Sequence, residues 1–459
     1  MTFKLRPYQD DLISSARARI SAGDKRVLMV APTGAGKTAL ASFMLGTAAG
    51  RGMPSWFNVH RRELILQSSK MMDKVGIAHG IISSGFPFSR AQRVQIVGIG
   101  SIRSRLTKVI NPKMIIWDEC HHVASKTWTD IFEAFPDAIH IGLTATPMRL
   151  DGRGLGPWFD SIVEGPTTRW LIENGFLTPY KLFAPWSPDM TGAHKRGGDY
   201  SASDAADKMD KPSVTGNVID HYRRLAHGKR AIAFCSNIEH SLHVVEQFRA
   251  AGYKAAHLDG TMSRTVRDAV LKQFERGEIH VLSNVDLFGE GFDLPAIEAV
   301  LLLRPTASTG LYMQQVGRAL RTCDGKDFAI ILDHAGNAMR HGLPDEIREW
   351  SLEDRPRREK KKPGEDEQKI RQCPNCFAVH EPAPHCPECG HVYEIKTRKI
   401  EEREGELQEV DLALFRAQKK REQTQARTME QLVDLATQRG YKNPTAWATH
   451  VFNSRQTRN

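Results

Sequence analysis

The sequence lacks any long apolar run. No stretch of its 459 residues approaches the roughly 18 consecutive apolar residues of a membrane span, and runs such as Met114–Trp117 and Val300–Leu303 have only strand length. The first ten residues carry charges and a proline where a secretion signal would carry an apolar segment. We therefore expect no membrane association and no secretion.

Cysteine is scarce and unevenly placed. Of the seven cysteines, Cys120, Cys235 and Cys323 are scattered, and the other four crowd into residues 373–389. An odd total with one tight cluster argues against a disulfide framework, and it favours a reducing compartment and a metal site.

Extremes of composition are also missing. Lys plus Arg is 64 and Asp plus Glu is 54, so the net charge is +10, while hydrophobic residues make up 40%. These values fit globular domains and exclude a fibrous or largely disordered chain. The length predicts two to four domains at roughly 100–200 residues each, and no internal repeat of fixed period is present. The basic excess is only a weak indication of a polyanionic partner.

Short apolar runs alternate with helical segments along most of the chain. The runs are Arg26–Ala31, Trp56–Val59, Arg93–Gly98, Met114–Trp117 and Ile139–Leu143, then Arg230–Cys235, Tyr253–Leu258, His280–Ser283, Ala299–Leu303 and Phe328–Leu332. Buried parallel strands have this pattern, so the alternation predicts an α/β fold with two doubly wound parallel sheets in series.

The residues between and after these two units differ in composition. Residues 184–213 hold prolines and glycines with few apolar residues and are expected to form a connector, and Arg355–Pro363 is a basic run typical of a charged linker. Glu401–Gln438 is rich in charged and amide side chains, which predicts an exposed helical tail. The expected divisions are 1–183, 184–213, 214–345, 346–372, 373–392 and 393–459.

A phosphate-binding loop is predicted directly after the first apolar run. The segment Pro32, Thr33, Gly34, Ala35, Gly36, Lys37 and Thr38 follows a strand and opens a helix. In this context backbone N–H groups can surround a phosphate, Lys37 can reach the β- and γ-phosphates, and Thr38 can ligate Mg²⁺. The alternative interpretation is an incidental glycine-rich turn.

An acidic pair follows another predicted strand. Asp118 and Glu119 come after Met114–Trp117, so Asp118 can hold Mg²⁺ through water and Glu119 can act as a base on the attacking water. The alternative is a surface acidic pair at the end of a strand.

These motifs together resemble the second helicase superfamily. The resemblance rests on Lys37, on the segment 118–122 (Asp-Glu-Cys-His-His), on 144–147 (Thr-Ala-Thr-Pro), on 290–293 (Glu-Gly-Phe-Asp) and on 314–321 (Gln-Gln-Val-Gly-Arg-Ala-Leu-Arg). It covers about residues 1–345 and points to the DEAD/DEAH-type branch that includes XPB, UvsW and restriction-enzyme motor subunits. The Cys-His in place of Ala-Asp argues against the narrow RNA-specific DEAD-box group.

The resemblance implies a fold, a set of roles and a compartment. The two units would be tandem RecA-like domains that bind ATP between them. The protein would act in the cytoplasm of a bacterial or phage-infected cell. The resemblance implies adenine contacts at Arg6 and Gln9, and positions near the ribose and γ-phosphate for Gly291 and Asp293. The implied catalytic groups of the second domain are Gln315, Arg318 and Arg321, and the implied coupling residues are His121, Thr144 and Thr146. Arg318 and Arg321 also lie one helical turn apart, so both can point at one γ-phosphate.

Polar residues that follow strands are candidates for nucleic-acid contacts. They are His60, Arg61, Arg62, Ser101, Arg103, Ser236 and Asn237. Ligands gather at the carboxyl ends of strands in open α/β sheets, and phosphate contacts give affinity without reading sequence. For each residue a solvated surface position is the alternative.

The four clustered cysteines have zinc-ligand spacing. Cys373 and Cys376 form one Cys-x-x-Cys turn, and Cys386 and Cys389 form a second. Two such turns can build a tetrahedral Zn²⁺ site, and a segment this short would depend on the metal to fold. An iron site or a redox-active dithiol pair are the alternatives.

The motifs favour an ATP-driven helicase or translocase that uses Mg²⁺ and carries a zinc module, and the family resemblance implies that its nucleic acid is DNA. Forked or branched DNA is a possible substrate class, and the C-terminal region could bind a protein partner. An RNA-dependent ATPase and an ATP-gated nucleic-acid clamp are the competing interpretations. We find no nuclease constellation in residues 346–459, so a complete restriction subunit is not expected.

Overall fold

The computed structural model describes residues 4–89, 91–123, 125–148, 153–184, 188–210, 212–287, 297–353, 370–393, 420–439, 441 and 444–456. Contacts divide the chain into two units, Met1–Tyr393 and Glu394–Asn459. The first unit contains two parallel sheets, which we call the first and second lobes, together with the four-cysteine module.

The first lobe is built on a seven-stranded parallel sheet. Its strands are β1 Arg26–Val30, β2 Ser55–Val59, β3 His79–Ile82, β4 Val94–Gly98, β5 Met114–Asp118, β6 Ile139–Thr144 and β7 Ser161–Glu164. They lie in the order β3-β4-β2-β5-β6-β1-β7, so β1 and β5 are both interior strands. The side chains of β2, β4 and β5 are buried throughout, as expected for strands covered by helices on both faces.

Helices cover both faces of this sheet. They are α1 Pro7–Ser21, α2 Lys37–Gly50, α3 Arg62–Lys74, α4 Ile99–Ile102, α5 Lys126–Ala134 and α6 Thr168–Glu173, with short 3₁₀ turns at Arg103–Lys108 and Cys120–His122. The helix α2 begins at the last residues of the predicted phosphate loop, so the loop connects the end of β1 to a helix N-terminus.

The second lobe is built on a six-stranded parallel sheet. Its strands are β8 Tyr180–Phe183, β11 Ala231–Phe234, β12 Ala255–Leu258, β13 Val281–Asn284, β14 Ala299–Leu302 and β15 Ala329–Asp333, in the order β12-β13-β11-β14-β15-β8. Its helices are α7 Ala202–Met209, α8 Pro212–Leu225, α9 Ile238–Ala250, α10 Arg264–Glu275, α11 Thr309–Ala319 and α12 Asn337–His341. The predicted pair of doubly wound parallel sheets is thereby confirmed.

Two regions differ from the expectations drawn from sequence. The strand β8 pairs with β15 of the second lobe, so residues 180–183, which were expected in the first domain, belong to the second sheet. The expected connector 184–213 contains a hairpin of β9 Lys195–Arg196 and β10 Asp199–Tyr200, and then helix α7. Few of its residues are apolar because strand β9 is exposed, and the buried face of α7 consists of small residues and one methionine.

The four-cysteine module packs against the second lobe. Its strands β16 Arg371–Gln372 and β17 Val379–His380 form an antiparallel pair. Phe183 of β8 makes an antiparallel bridge to Ala378, and the N–H of Ala184 donates to the carbonyl of Phe377 over 3.0 Å. The module thereby continues the second sheet beyond β8.

In its described residues the second unit has a helical stretch at 420–425 and, after it, two helices that pack on each other. They are α13 Met429–Gln438 and α14 Pro444–Gln456, and Leu432, Ala448 and Val451 form their buried contact. The predicted helical tail is thus present in part, and residues 401–419 of the expected segment lie outside the described residues. No helix within the described ranges has both the length and the apolar content that a membrane span needs.

Candidate functional site

The predicted phosphate loop has the backbone of an anion cradle. Gly34 and Gly36 adopt φ values of +91° and +83°, which L side chains rarely reach. A Cβ atom on Gly36 would lie 2.5 Å from the Nε2 atom of Gln9, so this position has room only for glycine. Successive backbone N–H groups at the start of α2 can therefore converge on a phosphate.

Two side chains near the N-terminus donate hydrogen bonds to the backbone of this loop. The Tyr8 hydroxyl and the Gln9 Nε2 atom each donate to the carbonyl oxygen of Ala35 over 3.0 Å. The Oε1 atom of Gln9 accepts from the backbone N–H of Arg6 over 3.0 Å. The two predicted base contacts, Arg6 and Gln9, thus lie beside the phosphate loop, as an adenine site requires.

Trp170 and Phe176, two aromatic residues near Tyr8, were not predicted from the sequence. The ring centroids of Tyr8 and Phe176 are 5.0 Å apart, and the rings of Phe176 and Trp170 stack at 5.8 Å. The Arg6 guanidinium lies 5.1 Å from the centroid of Phe176. These residues follow β7 by sequence and reach the loop only through the fold, so no local motif could have identified them.

The acidic pair faces the phosphate loop. Asp118 ends β5, and Glu119 adopts a left-handed backbone conformation with φ 50° and ψ 51°. A non-glycine residue in this conformation stores about 1–3 kcal/mol of strain and is typical of functional sites. The Glu119 Oε1 atom lies 3.7 Å from Lys37 Nζ, and both side chains are largely buried.

The predicted coupling residues form a relay of side-chain contacts that begins at Glu119. The Nδ1 atom of His121 lies 3.5 Å from Glu119 Oε2 and 3.3 Å from Thr144 Oγ1. The Thr144 hydroxyl accepts from the backbone N–H of Thr146 and donates to its carbonyl, each over 3.1 Å. A Cβ atom on Gly310 would lie 3.0 Å from Thr146 Oγ1, so this relay reaches the second lobe at the start of α11.

The helix α11 brings the predicted catalytic residues of the second lobe to the phosphate loop. Gln315 and Arg318 are buried on this helix. A Cβ atom on Gly317 would lie 2.5 Å from the Cβ atom of Thr33, and one on Gly34 would lie 3.8 Å from the Cγ atom of Arg321. The two lobes therefore meet at the loop, where both arginines can approach a γ-phosphate.

The cleft also offers polar atoms for a nucleotide. The Oγ1 atom of Thr33 and the Oε1 atom of Gln315 are buried and find no hydrogen-bond partner among the described residues. Buried polar atoms are normally satisfied, so this pair fits a site that is completed by a bound phosphate group and its water. Gly291 and Asp293, the other two predicted contacts, lie outside the described residues.

A lysine that the sequence did not single out holds the end of α11. The Lys326 ammonium donates to the carbonyls of Ile297 over 2.7 Å and Arg321 over 2.9 Å, and it also contacts the carbonyl of Ala319. Burial lowers the pKa of Lys326 to about 8. Because it caps the helix that carries Arg318, this residue fixes the position of the arginine pair.

The predicted nucleic-acid contacts of the first lobe follow β2 and β4. The rings of His60 and His122 are 5.1 Å apart. Arg62 donates to the carbonyl of Ser84 over 3.0 Å, and the N–H of Ser84 donates to Ser101 Oγ over 3.0 Å. These contacts gather Arg62 and Ser101 at one edge of the sheet.

The remaining predicted contacts make structural interactions. Arg103 pairs with Asp130 at 3.1 Å. Asn237 Oδ1 accepts from the backbone N–H of His240 and caps α9, and Ser236 is buried beside it, with its N–H 3.4 Å from the His240 Nδ1 atom. Arg61 donates across the cleft to the carbonyl of Asp286 over 3.1 Å.

The four clustered cysteines converge on one point. Their Sγ atoms all lie within 4.8 Å of one another. The Cys373–Cys389 and Cys376–Cys386 sulfur atoms are 3.7 Å apart. A tetrahedron with Zn–S bonds of about 2.3 Å has edges of about 3.8 Å, so the four thiols fit a tetrahedral metal.

The surroundings of these thiols also suit a metal site. Burial opposes ionisation of Cys373, but hydrogen bonds from the backbone N–H groups of Cys376 and Asn375 and from the side chains of Cys389 and Tyr393 together lower the pKa of that thiol to about 6. Burial raises the pKa of the neighbouring Cys376 to about 12, so one thiol of the cluster ionises before the other. Cys373 and Cys386 are buried in the same apolar cluster as Phe183 and Leu332. The module is therefore part of the packing of the second lobe.

Two parallel α/β lobes that meet at a phosphate loop, with a carboxylate pair on one side and an arginine pair on the other, define a nucleoside-triphosphate-hydrolysing motor. Residues 2–149 match the family model of the type III restriction enzyme res subunit, and residues 212–323 match the helicase conserved C-terminal domain. The chain belongs to superfamily 2 of the helicases and is related to the motor subunits of restriction enzymes. Members of this superfamily hydrolyse ATP with Mg²⁺.

Individual relatives support the same assignment. The "51.5 kDa protein" of a Lactococcus phage (isolate 7-9) is 34% identical over 388 residues, which cover 84% of this chain and 82% of that protein. The DNA 3'-5' translocase XPB2 of Sulfurisphaera tokodaii is 23% identical, with coverage of 73% and 82%. The solved structure of the ATP-dependent type ISP restriction-modification enzyme LlaBIII bound to DNA has a TM-score of 0.57 at 18% identity, and it is similar over 73% of this chain but only 28% of that one.

Proposed function

We propose that this protein is an ATP-driven DNA helicase or translocase whose single nucleotide site lies between the two lobes. The observation that carries the proposal is the approach of Gly317 on α11 to Thr33 in the predicted phosphate loop, because it brings residues of both lobes into contact at that loop. Hydrolysis at such a site depends on closure of the lobes, and closure is the motion that a motor uses.

Each residue of the cleft has a distinct task in this proposal. The loop N–H groups and Lys37 bind the β- and γ-phosphates, and Glu119 accepts the proton of the attacking water. Arg318 and Arg321 stabilise the charge that develops on the γ-phosphoryl group. A bound Mg²⁺ would neutralise phosphate charge, with Asp118 and Thr38 as the residues placed to hold it.

The relay from Glu119 to the second lobe would couple chemistry to movement. His121 contacts both Glu119 and Thr144, and Thr144 is bonded to Thr146, which faces α11. A change in the charge of Glu119 during hydrolysis would therefore alter contacts at the lobe interface. His60, Arg61, Arg62 and Ser101 are proposed to contact phosphates at the carboxyl edge of the first sheet.

DNA is the proposed nucleic acid. XPB2, a relative over most of its length, is named as a DNA translocase, and the family model of the first lobe is that of a restriction enzyme. Phosphate contacts by basic and hydroxyl side chains are independent of sequence, as a motor on DNA requires. Forked or branched DNA is the proposed preferred geometry.

ATP turnover with different nucleic acids tests this function. It should be measured with no nucleic acid, single-stranded DNA, duplex, forked and four-way DNA, and RNA. Turnover is expected to rise with DNA and to fall to background in Lys37→Ala. Stimulation by RNA alone would instead identify an RNA-dependent ATPase, and absence of turnover under every condition would indicate an ATP-gated clamp.

We further propose that the four thiolates hold Zn²⁺ in a structural site. Four protein ligands close the coordination shell, which is typical of structural rather than catalytic zinc. The packing of Cys373 and Cys386 against Phe183 ties the metal to the stability of the second lobe. A zinc-to-protein ratio near one in purified protein is expected, and iron in its place would refute the zinc assignment.

The cellular setting is a related proposal. We place the protein in the reducing cytoplasm of a bacterial or phage-infected cell, because all seven cysteines are free and a phage relative covers most of the chain. The helices α13 and α14, which lie in the described part of the second unit, are the proposed site for a protein partner. Mass spectrometry of affinity-purified complexes, with residues 394–459 deleted as the control, would identify such a partner.

A further inference from the structure

A basic hairpin projects from the segment that connects β8 to α7 in the second lobe. Lys195 and Arg196 form β9, which pairs with β10, and Gly197 and Gly198 make the turn with φ values of 61° and 92°. A two-residue turn with both φ values positive is the tight turn that suits a hairpin. Lys195 and Arg196 are exposed and make no ion pair within the described part of the chain.

The base of this hairpin is fixed to the second lobe. The buried Asp199 carboxylate accepts from the N–H of Ala307 over 2.6 Å and lies 3.4 Å from Arg304 Nη2. The Tyr200 ring lies 5.5 Å from the Arg340 guanidinium on one side and 5.2 Å from Lys195 Nζ. These contacts fix the base of the hairpin, and therefore the position of Lys195 and Arg196, relative to the second lobe.

The hairpin stands beside the edge where the predicted phosphate contacts lie. Arg304, which pairs with Asp199, also pairs with the carboxylate of Asp286. The carbonyl of Asp286 accepts from Arg61 of the first lobe over 3.1 Å. Asp286 and Arg304 are the second residues after β13 and β14, so this network runs along the carboxyl ends of the strands.

We propose that this hairpin is an additional contact for the phosphate backbone of the tracked DNA. The inference rests on the proposed function. The exposed Lys195 and Arg196 supply two positive charges, whereas the glycine turn carries no ring that could stack on a base. The Tyr200 ring lies beside the buried end of the hairpin near Arg340, and we assign it no contact with a base, so the hairpin adds affinity without reading sequence.

Two double variants that remove the same charge, one in the hairpin and one away from it, test the hairpin. Lys195→Ala/Arg196→Ala removes two charges, and Lys113→Ala/Lys254→Ala removes two from exposed lysines directly before β5 and β12, at the opposite edges of the sheets. DNA affinity should be measured by fluorescence anisotropy between 50 and 200 mM salt, on single strands and on duplex. ATP turnover should be measured as a function of DNA concentration.

The hairpin variant is expected to lose on the order of tenfold in affinity. The slope of log affinity against log salt should become shallower by up to about 1.8 on duplex or about 1.4 on single strands, because two phosphate contacts are lost. Whether the affinity is lost on single strands or on duplex identifies the form of DNA that the hairpin contacts. Turnover without DNA should be unchanged, since neither side chain lies in the nucleotide cleft.

The outcomes distinguish a failure of the hairpin inference from a failure of the proposed function. If wild-type turnover is not stimulated by DNA, the proposed function fails. If wild-type turnover is stimulated and the hairpin variant matches it in affinity and salt slope on both DNAs, the hairpin inference is overturned. An equal loss in the Lys113/Lys254 control would also overturn it, because that loss would reflect net charge alone.

Discussion

The substitution Gly317→Ala probes the contact between the lobes. A Cβ atom at this position would lie 2.5 Å from Thr33 Cβ and 2.7 Å from Thr33 Cγ2. Nonbonded carbon atoms prefer separations of about 3.5–4.0 Å. The added methyl group must therefore move α11 away from the phosphate loop by about 1 Å.

A shift of this size should cost catalysis more than folding. Catalytic groups need placement within about 0.5 Å, and a displacement of about 1 Å can lower a rate roughly 100-fold. Arg318 and Arg321 lie on or directly after α11, so we expect kcat for DNA-stimulated ATP hydrolysis to fall about 100-fold. Alanine is favoured over glycine in a helix by up to about 1 kcal/mol, so the unfolding temperature should not fall.

Steady-state ATP turnover and thermal unfolding together provide the assay. Gly260→Ala is the matched control, because a Cβ atom there meets no atom within 4 Å. Thr33→Gly/Gly317→Ala removes the clashing atoms and should recover turnover toward the level of Thr33→Gly alone. Unchanged turnover in Gly317→Ala would refute the packing of α11 on the loop during catalysis.

Three further predictions concern the metal, acid and the lobe interface. A strong chelator or Cys386→Ser should lower the unfolding temperature of the second lobe, because this thiol is buried in its core; an unchanged calorimetric transition would contradict a structural metal. Burial lowers the pKa of His140 to about 4, so the unfolded state binds the proton first and stability should fall as pH drops from about 6.5 toward 4. In His140→Gln, the loss of unfolding free energy over this pH range should be smaller by about 3 kcal/mol, as measured by urea unfolding at each pH. An unaltered pH dependence would argue against a buried neutral imidazole. Glu63 and Arg267 pair across the lobes at 3.2 Å, so Glu63→Arg should weaken closure by roughly 1 kcal/mol and the Glu63→Arg/Arg267→Glu swap should restore it. Energy transfer between dyes on the two lobes measures closure, and equal values in all three proteins would exclude a role for the pair.

The interior strands were predictable from sequence, and most edge strands were not. Interior strands such as β5 are buried on both faces and appear as apolar runs. In the two parallel sheets, the strands that sequence reasoning missed are β3, β7 and β8, and all three lie at sheet edges. An edge strand has fewer neighbours, so it tolerates polar side chains such as Lys181 of β8, and its composition no longer marks it as a strand.

The site was predictable where its residues form local motifs. The phosphate loop and the four-cysteine cluster have fixed spacings, and the structure places each set together. Trp170, Phe176 and Lys326 reach the cleft only through tertiary packing. Such contacts depend on how strands are ordered in space, so no single-sequence pattern records them.

The nucleic-acid candidates show the limit of arguments from strand ends. Position after a strand correctly predicts the carboxyl edge of a sheet, but it does not distinguish a ligand contact from a cap or an ion pair. Asn237 caps α9 and Arg103 pairs with Asp130, so both have structural partners in this conformation. Their roles toward DNA stay predictions.

The most direct test of the central claim is ATP turnover on saturating forked DNA by wild type, Lys37→Ala, Arg318→Ala and an equimolar mixture of the two variants. One cleft within one chain predicts strong turnover in wild type and background turnover in each variant and in the mixture, because no chain of the mixture holds both groups. Recovery of turnover in the mixture would show that the two residues act from different chains. Full activity of either variant alone would contradict the site itself.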